Sequence, residues 1–510
     1  MNNKTSGKFI LVLVIFLAGI SISCAYSFWE DSDLIPEVRT EVYNSILSVN
    51  DTYHSDPHTI SRLGVNHPFQ TLRKFRRCTR EAFLPGEKSH SFVQYAYADS
   101  EIYYSMDINF TAGYDQRSDD PGNYGFFYKG IRFNSQCNDR FRVRGNWWNG
   151  AFHGSRSYWE QSPLIDGYNN QNPNKNLLDN MNGDISYNNK YFNAAVGRGR
   201  FQIGNSVSGS IILSDKVNEY DYLLLEQRVG KFSFSLLNSI LKPDSTKTPD
   251  TEDYPGKFFA LHQMMYKPLD GLELFVGETV VYGSHYDLSY MLPFYFWRVG
   301  KYGMQEKDNL MIYGGANYYP ASNLVIYLNV AIDELTYNKI FTDWWGNKYG
   351  VQTGVSIKMP KFALTKNESP VITLEATAIR PWTYTHYDNV TMYSNERLPL
   401  GYPKGSNLVD LTAELNLPLP WEMRWDSQFS CTWQGSVGND WRLNYHTYFP
   451  GDIVNTAEAY WLEGDVSFTP VWTNTIHLDF MAHHSFILGH SSTLNKESRH
   501  QLFLSWQFFY

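Results

Sequence analysis

Long stretches of this chain alternate apolar and polar residues with a period of two, the signature of strands with one apolar and one polar face. From Ile102 to Ala112, residues Ile102, Tyr104, Met106, Ile108, Phe110 and Ala112 alternate with Tyr103, Ser105, Asp107, Asn109 and Thr111. Leu324, Ile326, Leu328, Val330 and Ile332 do the same against Asn323, Tyr327, Asn329 and Asp333. Ile476, Leu478, Phe480 and Ala482 oppose His477, Asp479 and His483. The chain ends with Leu502, Leu504, Trp506, Phe508 and Tyr510 on one face, the amphipathic last strand and terminal aromatic that usually signal insertion of a bacterial outer-membrane barrel.

The connections alternate too. Short turns are predicted at Asn138-Asp139, Asn188-Asn189, Gly230-Lys231, Asp270-Gly271, Pro320 to Asn323, Pro418 to Trp421 and Pro470 to Asn474, all rich in turn-forming residues. Between them lie long polar stretches at 154–182, 202–219, 242–256, 284–308, 335–349, 381–407, 434–456 and 488–498. Only the 360–370 connection blurs the rhythm. A soluble sandwich has no need of long loops at one end alone, whereas an outer-membrane barrel has short periplasmic turns and long extracellular loops. The expected fold is therefore all-β and transmembrane: a closed antiparallel outer-membrane barrel over 91–510, of about eighteen strands within a range of sixteen to twenty. The count must be even, because both ends of the barrel lie on the short-turn side.

Residues 1–25 read as a secretory signal: Lys4 and Lys8, an apolar run from Phe9 to Ile22, and the small residues Ser23-Cys24-Ala25. Cleavage after Ala25 is favoured over lipid attachment at Cys24, since Ser21-Ile22-Ser23 makes a poor lipobox. The apolar run is too short to be a good spanning helix, and no other stretch approaches the ~18 apolar residues one needs. Residues 26–90 read as a short periplasmic helical segment. Val38, Val42, Tyr43, Ile46 and Leu47 have helical spacing, and further short helices around Ile60, Leu63, Phe69, Leu72 and Phe75 are interrupted by Pro57 and Pro68. Lys74, Arg76, Arg77 and Arg80 make this segment basic, which a solvated face explains better than a lipid-phosphate contact.

Without the signal, 41 basic side chains face 52 acidic ones, a balance of −11 that argues against nucleic acid as a partner. The 37 Tyr and 15 Trp exceed what a soluble core requires, but suit interfacial girdles and sugar-stacking surfaces. Three cysteines remain, Cys78, Cys137 and Cys431; they form no disulfide framework or metal signature, and a Cys78–Cys137 bridge is the minority reading.

Several later segments resemble a known family. They are Met291-Leu-Pro-Phe-Tyr-Phe-Trp-Arg298, Asp308-Asn309, the Asn323 to Tyr327 strand running into Ile332-Asp333-Glu334, Arg380-Pro381-Trp382-Thr383-Tyr384-Thr385-His386, Leu398-Pro399-Leu400-Gly401-Tyr402-Pro403 and Gly405-Ser406-Asn407. Their order is similar to the Wzi family of capsule-assembly proteins. The resemblance implies an eighteen-stranded outer-membrane barrel with a small periplasmic helical bundle, acting as a surface lectin for capsular polysaccharide. It does not carry over sugar-binding residues.

Aromatic rings can stack on the apolar faces of sugars while polar groups fix the hydroxyls. The candidate binding residues are Trp344, Trp345, Trp382, Tyr384, Trp159 and Trp441, with Trp147, Trp148 and Trp433 also considered; the competing explanation for each is the interfacial girdle. A charge facing lipid at mid-membrane costs about 2–4 kcal/mol for Arg or Lys, so charged strand residues are expected to point inward. Arg142, Arg144, Arg198, Arg200, Glu278, Asp333, Glu375 and Arg380 are assigned to a polar lumen network, with Asp410, Glu414, Glu463, Asp465 and Asp479 alongside them. A salt-bridged structural role is favoured over a passage for an anionic polymer.

No HExxH, Gly-x-Ser-x-Gly or P-loop pattern appears, and adjacent strand residues such as His483 and His484 face opposite ways. No enzyme activity, cofactor or metal is expected. The reading is a non-enzymatic, monomeric outer-membrane protein that retains capsular or exopolysaccharide, its partners being that polymer and outer-membrane lipid. The rival is a passive porin or export channel. Loops that close the lumen, for which 154–182 and 381–407 are long enough, would favour binding.

Overall fold

The structure is a computed structural model. It describes 102–510 apart from 138–139, 155–176, 190, 244–255, 284, 293–294, 301–307, 341, 363–368, 389, 397, 422, 481–483, 496–497 and 510, together with Ser61–Arg62 and Val93–Tyr97. The signal segment, the helical reading of 26–90 apart from Ser61–Arg62, the basic stretch, Cys24, Cys78 and Trp159 lie outside the described residues. Ser61–Arg62, within a stretch read as short helices, are extended and pair in parallel with Phe201–Gln202.

Eighteen antiparallel strands close into a barrel. The first six are β1 Ile102–Arg117, β2 Asp120–Cys137, β3 Phe141–His153, β4 Leu177–Asn188, β5 Phe192–Gly199 and β6 Tyr220–Val229. Next come β7 Phe232–Leu241, β8 Lys257–Leu269, β9 Leu272–Gly283, β10 Asn309–Ala321, β11 Leu324–Glu334 and β12 Lys348–Lys358. The last are β13 Val371–Ile379, β14 Leu408–Leu419, β15 Met423–Gly435, β16 Val466–Phe480, β17 His484–Thr493 and β18 Arg499–Phe509. Each strand pairs with its sequence neighbour, and β18 closes on β1 from Gln501↔Arg117 to Phe509↔Asn109. Val93–Tyr97 pairs with the lower end of β1, beyond the point where β18 stops. Closure leaves no row of unpaired edge groups, which lipid could not hydrate.

Alternation sorts the wall as expected. Ile185, Val276, Leu374, Phe429, Trp472, Leu488, Leu502 and Trp506 are exposed on the outside, where lipid would cover them. Asn109, Thr111, Asn182, Asn329, Gln352 and Thr412 are buried on the inside.

Two expectations differ from the structure. The turn predicted at 470–474 is the middle of β16, and the actual connection comes after Phe480. Pro470 fits because its carbonyl accepts from Leu494 N (2.8 Å) just past the last rung of the β16–β17 ladder, so its missing N–H lies where β17 no longer pairs. For the same reason 488–498 is not a long loop: β17 occupies it as far as Thr493.

Candidate functional site: a plugged lumen under an aromatic cap

Two of the long upper connections fold back into the barrel. In the segment after β5, Ile203, Ile211, Ile212, Leu213 and Val217 are almost completely buried, unusual for a loop between polar strand ends. They form one apolar cluster with Tyr384, Tyr393, Leu400 and Tyr402 of the segment after β13, and with the inward residues Leu237, Leu261, Phe275, Met311 and Ala331 of the wall. The two segments clasp each other. Tyr384 and Tyr393 lie stacked, 5.7 Å apart, and their phenols donate to the consecutive carbonyls of Ile211 and Ile212, each at 2.7 Å. Ser214 N donates to Leu400 O at 2.7 Å. Gly209 (φ 101°) sits where a Cβ would lie 2.6 Å from the Pro403 ring, so a side chain there would force the segments apart.

Wall carboxylates hold this plug by accepting from its backbone and its side chains. Glu375 on β13 accepts from Val207 N (3.0 Å), Ser208 N (3.2 Å) and Tyr327 OH (2.5 Å), and also from the Ser208 hydroxyl. Asp333 on β11 accepts from Tyr384 N at 2.8 Å. Asp410 on β14 accepts from Thr432 Oγ1 and Lys404 Nζ, each at 2.8 Å, and from the Tyr402 phenol. Gln352 donates to Gly209 O at 2.9 Å. Each buried donor satisfied in this way would otherwise cost about 1–3 kcal/mol, so these bonds peg the plug in place. Burial pushes the phenols of Tyr384, Tyr393 and Tyr402 above their ordinary range.

Above the plug, three upper segments meet in an aromatic cap. Trp345 stacks on Phe449 (4.7 Å) and lies against Tyr445 (4.8 Å) and Trp382 (6.2 Å); Trp382 packs edge-on to Tyr448 (4.9 Å) and Phe449 (5.0 Å). Trp382 and Tyr384 both have left-handed backbones (φ 67° and 73°), held by Trp382 N to Gly438 O (2.7 Å) and by the Asp333 bond. Lys348 is buried at the base of the cap, its ammonium over the rings of Trp345 (4.9 Å) and Tyr445 (4.4 Å) and 3.2 Å from Glu334.

The sequence-derived sugar candidates therefore sit mostly inside. Trp382 is 0% exposed, Tyr384 1% and Trp345 2%, their rings occupied by one another and by the plug. Trp344 is half-buried, with Lys339 over its ring (4.5 Å) and Nε1 donating to Val454 O (3.3 Å). Trp441 is half-buried against the plug beneath the Arg442 guanidinium (5.5 Å). Rings that do face solvent went unnoticed in the sequence: Tyr448, His446 and the half-buried Tyr387 and Tyr445. Tyr387 lies 5.7 Å from His446 and 6.3 Å from Tyr445. Asn444 ties them together, accepting from His446 N (3.0 Å) and donating to Tyr387 O (2.7 Å). An Asn opening the short helix Tyr445–Tyr448 was the available signal. Beside them, burial raises the Asp440 carboxyl, but the bonds from Arg442 outweigh it and hold it below the ordinary carboxylate range.

The lumen assignments divide as well. Arg144 pairs with Asp184 across the inner wall, its Nε 3.2 Å away, and Arg142 lies buried beside it. Arg200 donates to Asp215 O (3.2 Å) and lies 3.9 Å from Glu219 within the plug. Asp333 and Glu375 face inward. Three others do not. Arg198 is on the outer face at the upper end of β5, paired with Asp221 at 2.8 Å where the strands leave the hydrocarbon. Arg380 lies at the rim between the rings of Tyr349 (5.7 Å) and Trp461 (5.8 Å), donating to Ala459 O. Glu278 faces outward, under a loop that supplies its partners: Trp297 N (2.7 Å), Arg298 N (3.2 Å) and His262 Nε2 (3.1 Å). Among the described residues, no three His, Cys, Asp or Glu side chains gather closely enough to hold a metal ion.

No protein family matches the chain by its family model, and no curated protein matches it in sequence. Solved structures do match. The chain is similar to Wzi, an outer-membrane protein involved in group 1 capsule assembly in Escherichia coli and described as a carbohydrate-binding β-barrel: 12% identity, TM-score 0.48, over 78% of this chain and 83% of that one. It is also similar to Pseudomonas aeruginosa OprD (10% identity, TM-score 0.43, 84% and 99% covered) and to OccK5 from the same organism (8%, 0.43, 80% and 98%). The chain itself is a closed antiparallel barrel of eighteen strands.

Proposed function

We propose that this protein is a non-enzymatic polysaccharide-binding barrel that retains or organises capsular or exopolysaccharide at the cell surface. The observation that carries the reading is the plug. Two loops occupy the lumen, clasped together and pegged by Glu375, Asp333 and Asp410, so the polar and aromatic surface above them has no free passage to guard. That surface offers stacking rings at Tyr387, Tyr445, His446 and Tyr448 next to the charged Asp440–Arg442 pair, the mixture a sugar polymer requires. The resemblance of segments 291–298, 380–386 and 398–407 to capsule-assembly proteins points the same way.

A passive porin or export channel is the second reading, favoured by the polar inner wall at Asn109, Thr111, Asn146 and Asn182. Two measurements decide. Deletion of the gene should shift polymer from the cell-bound to the shed fraction, and Tyr387→Ala with Tyr448→Ala should do the same in a correctly inserted protein. A large, stable open conductance in planar bilayers, with polymer retention unchanged by the deletion, would establish the porin instead.

A further inference from the structure

The segment between β9 and β10 leaves the top of the barrel and folds down over its outer face. Tyr290 and Trp297 are buried there against Leu236, Ala260, Val280, Tyr282 and Leu310, all outward-facing wall residues. Beneath it lies the Glu278–His262 pair, Trp297 being 4.0 Å from the His262 ring. The opposite side of the segment is apolar and open: Leu288 and Phe296 are each 72% exposed, Leu292 54% and Tyr295 43%.

Depth says what covers that open side. Glu278 is six residues above Leu272, where β9 leaves its lower turn. At ~3.3 Å per residue and a tilt of ~40°, that is a height of about 15 Å, well inside an apolar band ~25 Å tall. Directly below, Leu274 and Val276 on the same face are exposed and apolar, as lipid contact requires. A segment packed on Glu278 is therefore at hydrocarbon depth. We infer that it is embedded in the outer leaflet, with Leu288, Leu292, Tyr295 and Phe296 against lipid acyl chains.

Irregular backbone is ordinarily excluded from lipid because its amides go unpaired. Here six of the described amides are paired. Trp297 N and Arg298 N go to Glu278, Ser289 N to the Asp287 carboxylate (2.8 Å), Tyr290 N to Asp287 O (3.3 Å), Leu292 N to Ser289 O (3.3 Å) and Tyr295 N to Leu292 O (3.4 Å). Glu278 is then no liability on the lipid side: it is the acceptor that lets a loop enter the membrane, and the loop screens its charge.

The test is photo-crosslinking in intact cells, with benzoylphenylalanine at Phe296, at Val276 as a lipid-facing reference and at Tyr337, 92% exposed on an upper loop, as an aqueous one. Folding is checked by resistance of the barrel to unfolding in cold detergent. Adducts to lipid acyl chains at Phe296 are expected at a yield like that of Val276 and about tenfold above Tyr337, since only a buried probe meets acyl chains. Adducts between two copies of the chain would assign the face to a dimer and overturn the inference. A lipid yield no higher than that of Tyr337 would place the segment in water and overturn it equally. Neither result bears on polymer binding.

Discussion

The same stretch of wall carries a folded loop on each side, and both loops are held in the same way. Inside, Glu375 accepts from two consecutive amides of the plug, Val207 and Ser208; outside, Glu278 accepts from two consecutive amides of the outer segment, Trp297 and Arg298. What differs is the surroundings. Glu375 sits among other polar groups, with Ser208 and Tyr327 hydroxyls filling its remaining lone pairs. Among the described residues Glu278 has one further partner, His262, and the wall residues packed under the same segment, Leu236, Ala260, Val280 and Leu310, are apolar. A strand carboxylate need not mark a lumen: it marks a place where a loop brings donors, whichever face it lies on.

Removing the inner acceptor should have the largest effect. Glu375→Ala strands two amides and two hydroxyls, each costing about 1–3 kcal/mol if left buried without a partner. The plug should detach, and single-channel recordings should show openings that the unmodified protein lacks, in a barrel that keeps its detergent resistance. An unchanged conductance would mean the apolar cluster holds the plug without its pegs. The same release is expected at high pH without any mutation. Burial raises the phenols of Tyr384, Tyr393 and Tyr402 above their unfolded value. Their contribution is complete below about pH 10, the ordinary tyrosine value, and is lost as pH climbs towards the folded values. Conductance should rise above that point in the unmodified protein and much less when Tyr384, Tyr393 and Tyr402 are replaced by Phe; an equal rise in the Phe variant would detach the tyrosines from the closure.

Next in size is the cap. Trp345→Ala removes a ring that touches Phe449, Tyr445 and Trp382, and core truncations of this kind cost about 3–5 kcal/mol. Protease should then cut the segment 436–465 while the strands stay protected. Loss of polymer retention with the cap still protease-resistant would instead return Trp345 to the binding surface. Glu278→Ala should act less than Glu375→Ala, stranding two amides at about 1–3 kcal/mol each, and expose the chain near Trp297 to cleavage.

The sequence makes the barrel legible because alternation repeats at every strand, and a turn wrongly placed at 470–474 is offset by the rhythm around it. Its misplacements are more instructive. Glu278 shares its parity with Leu274, Val276 and Val280, and Arg198 with Phe192 and Val196, so alternation alone puts both outside. The rule that charges avoid lipid overrode it, and that rule cannot see a loop folding over the face. The plug also left a trace, the triplet Ile211-Ile212-Leu213 in an otherwise polar connection. The burial of Trp345, Trp382 and Tyr384 left none, because a ring that packs on other rings reads the same as a ring that waits for a sugar. Contacts between segments 50 or more residues apart, such as Asn444 with Tyr387, carry no local signal.

The smallest expected effect compares two ion pairs of the same kind on opposite faces. Arg144 and Asp184 are both nearly buried in the lumen, whereas Arg198 and Asp221 lie at the upper outer rim with side chains 28% and 55% exposed. Breaking the inner pair by Arg144→Ala takes the closest cation from a buried carboxylate that keeps the Tyr222 hydroxyl (3.4 Å) and has Arg142 beside it. The loss should therefore stay below the ~3–5 kcal/mol of a fully stranded charge. The outer pair is open to water and salt, and double-mutant cycles of exposed pairs return about 0.2–1 kcal/mol. A cycle over Arg198→Ala and Asp221→Ala, read from reversible unfolding in urea, should therefore fall in that low range and shrink as salt is added. A coupling as large as that of the inner pair, and insensitive to salt, would show that hydrocarbon reaches the top of β5 and β6, and would raise the membrane boundary along the whole wall.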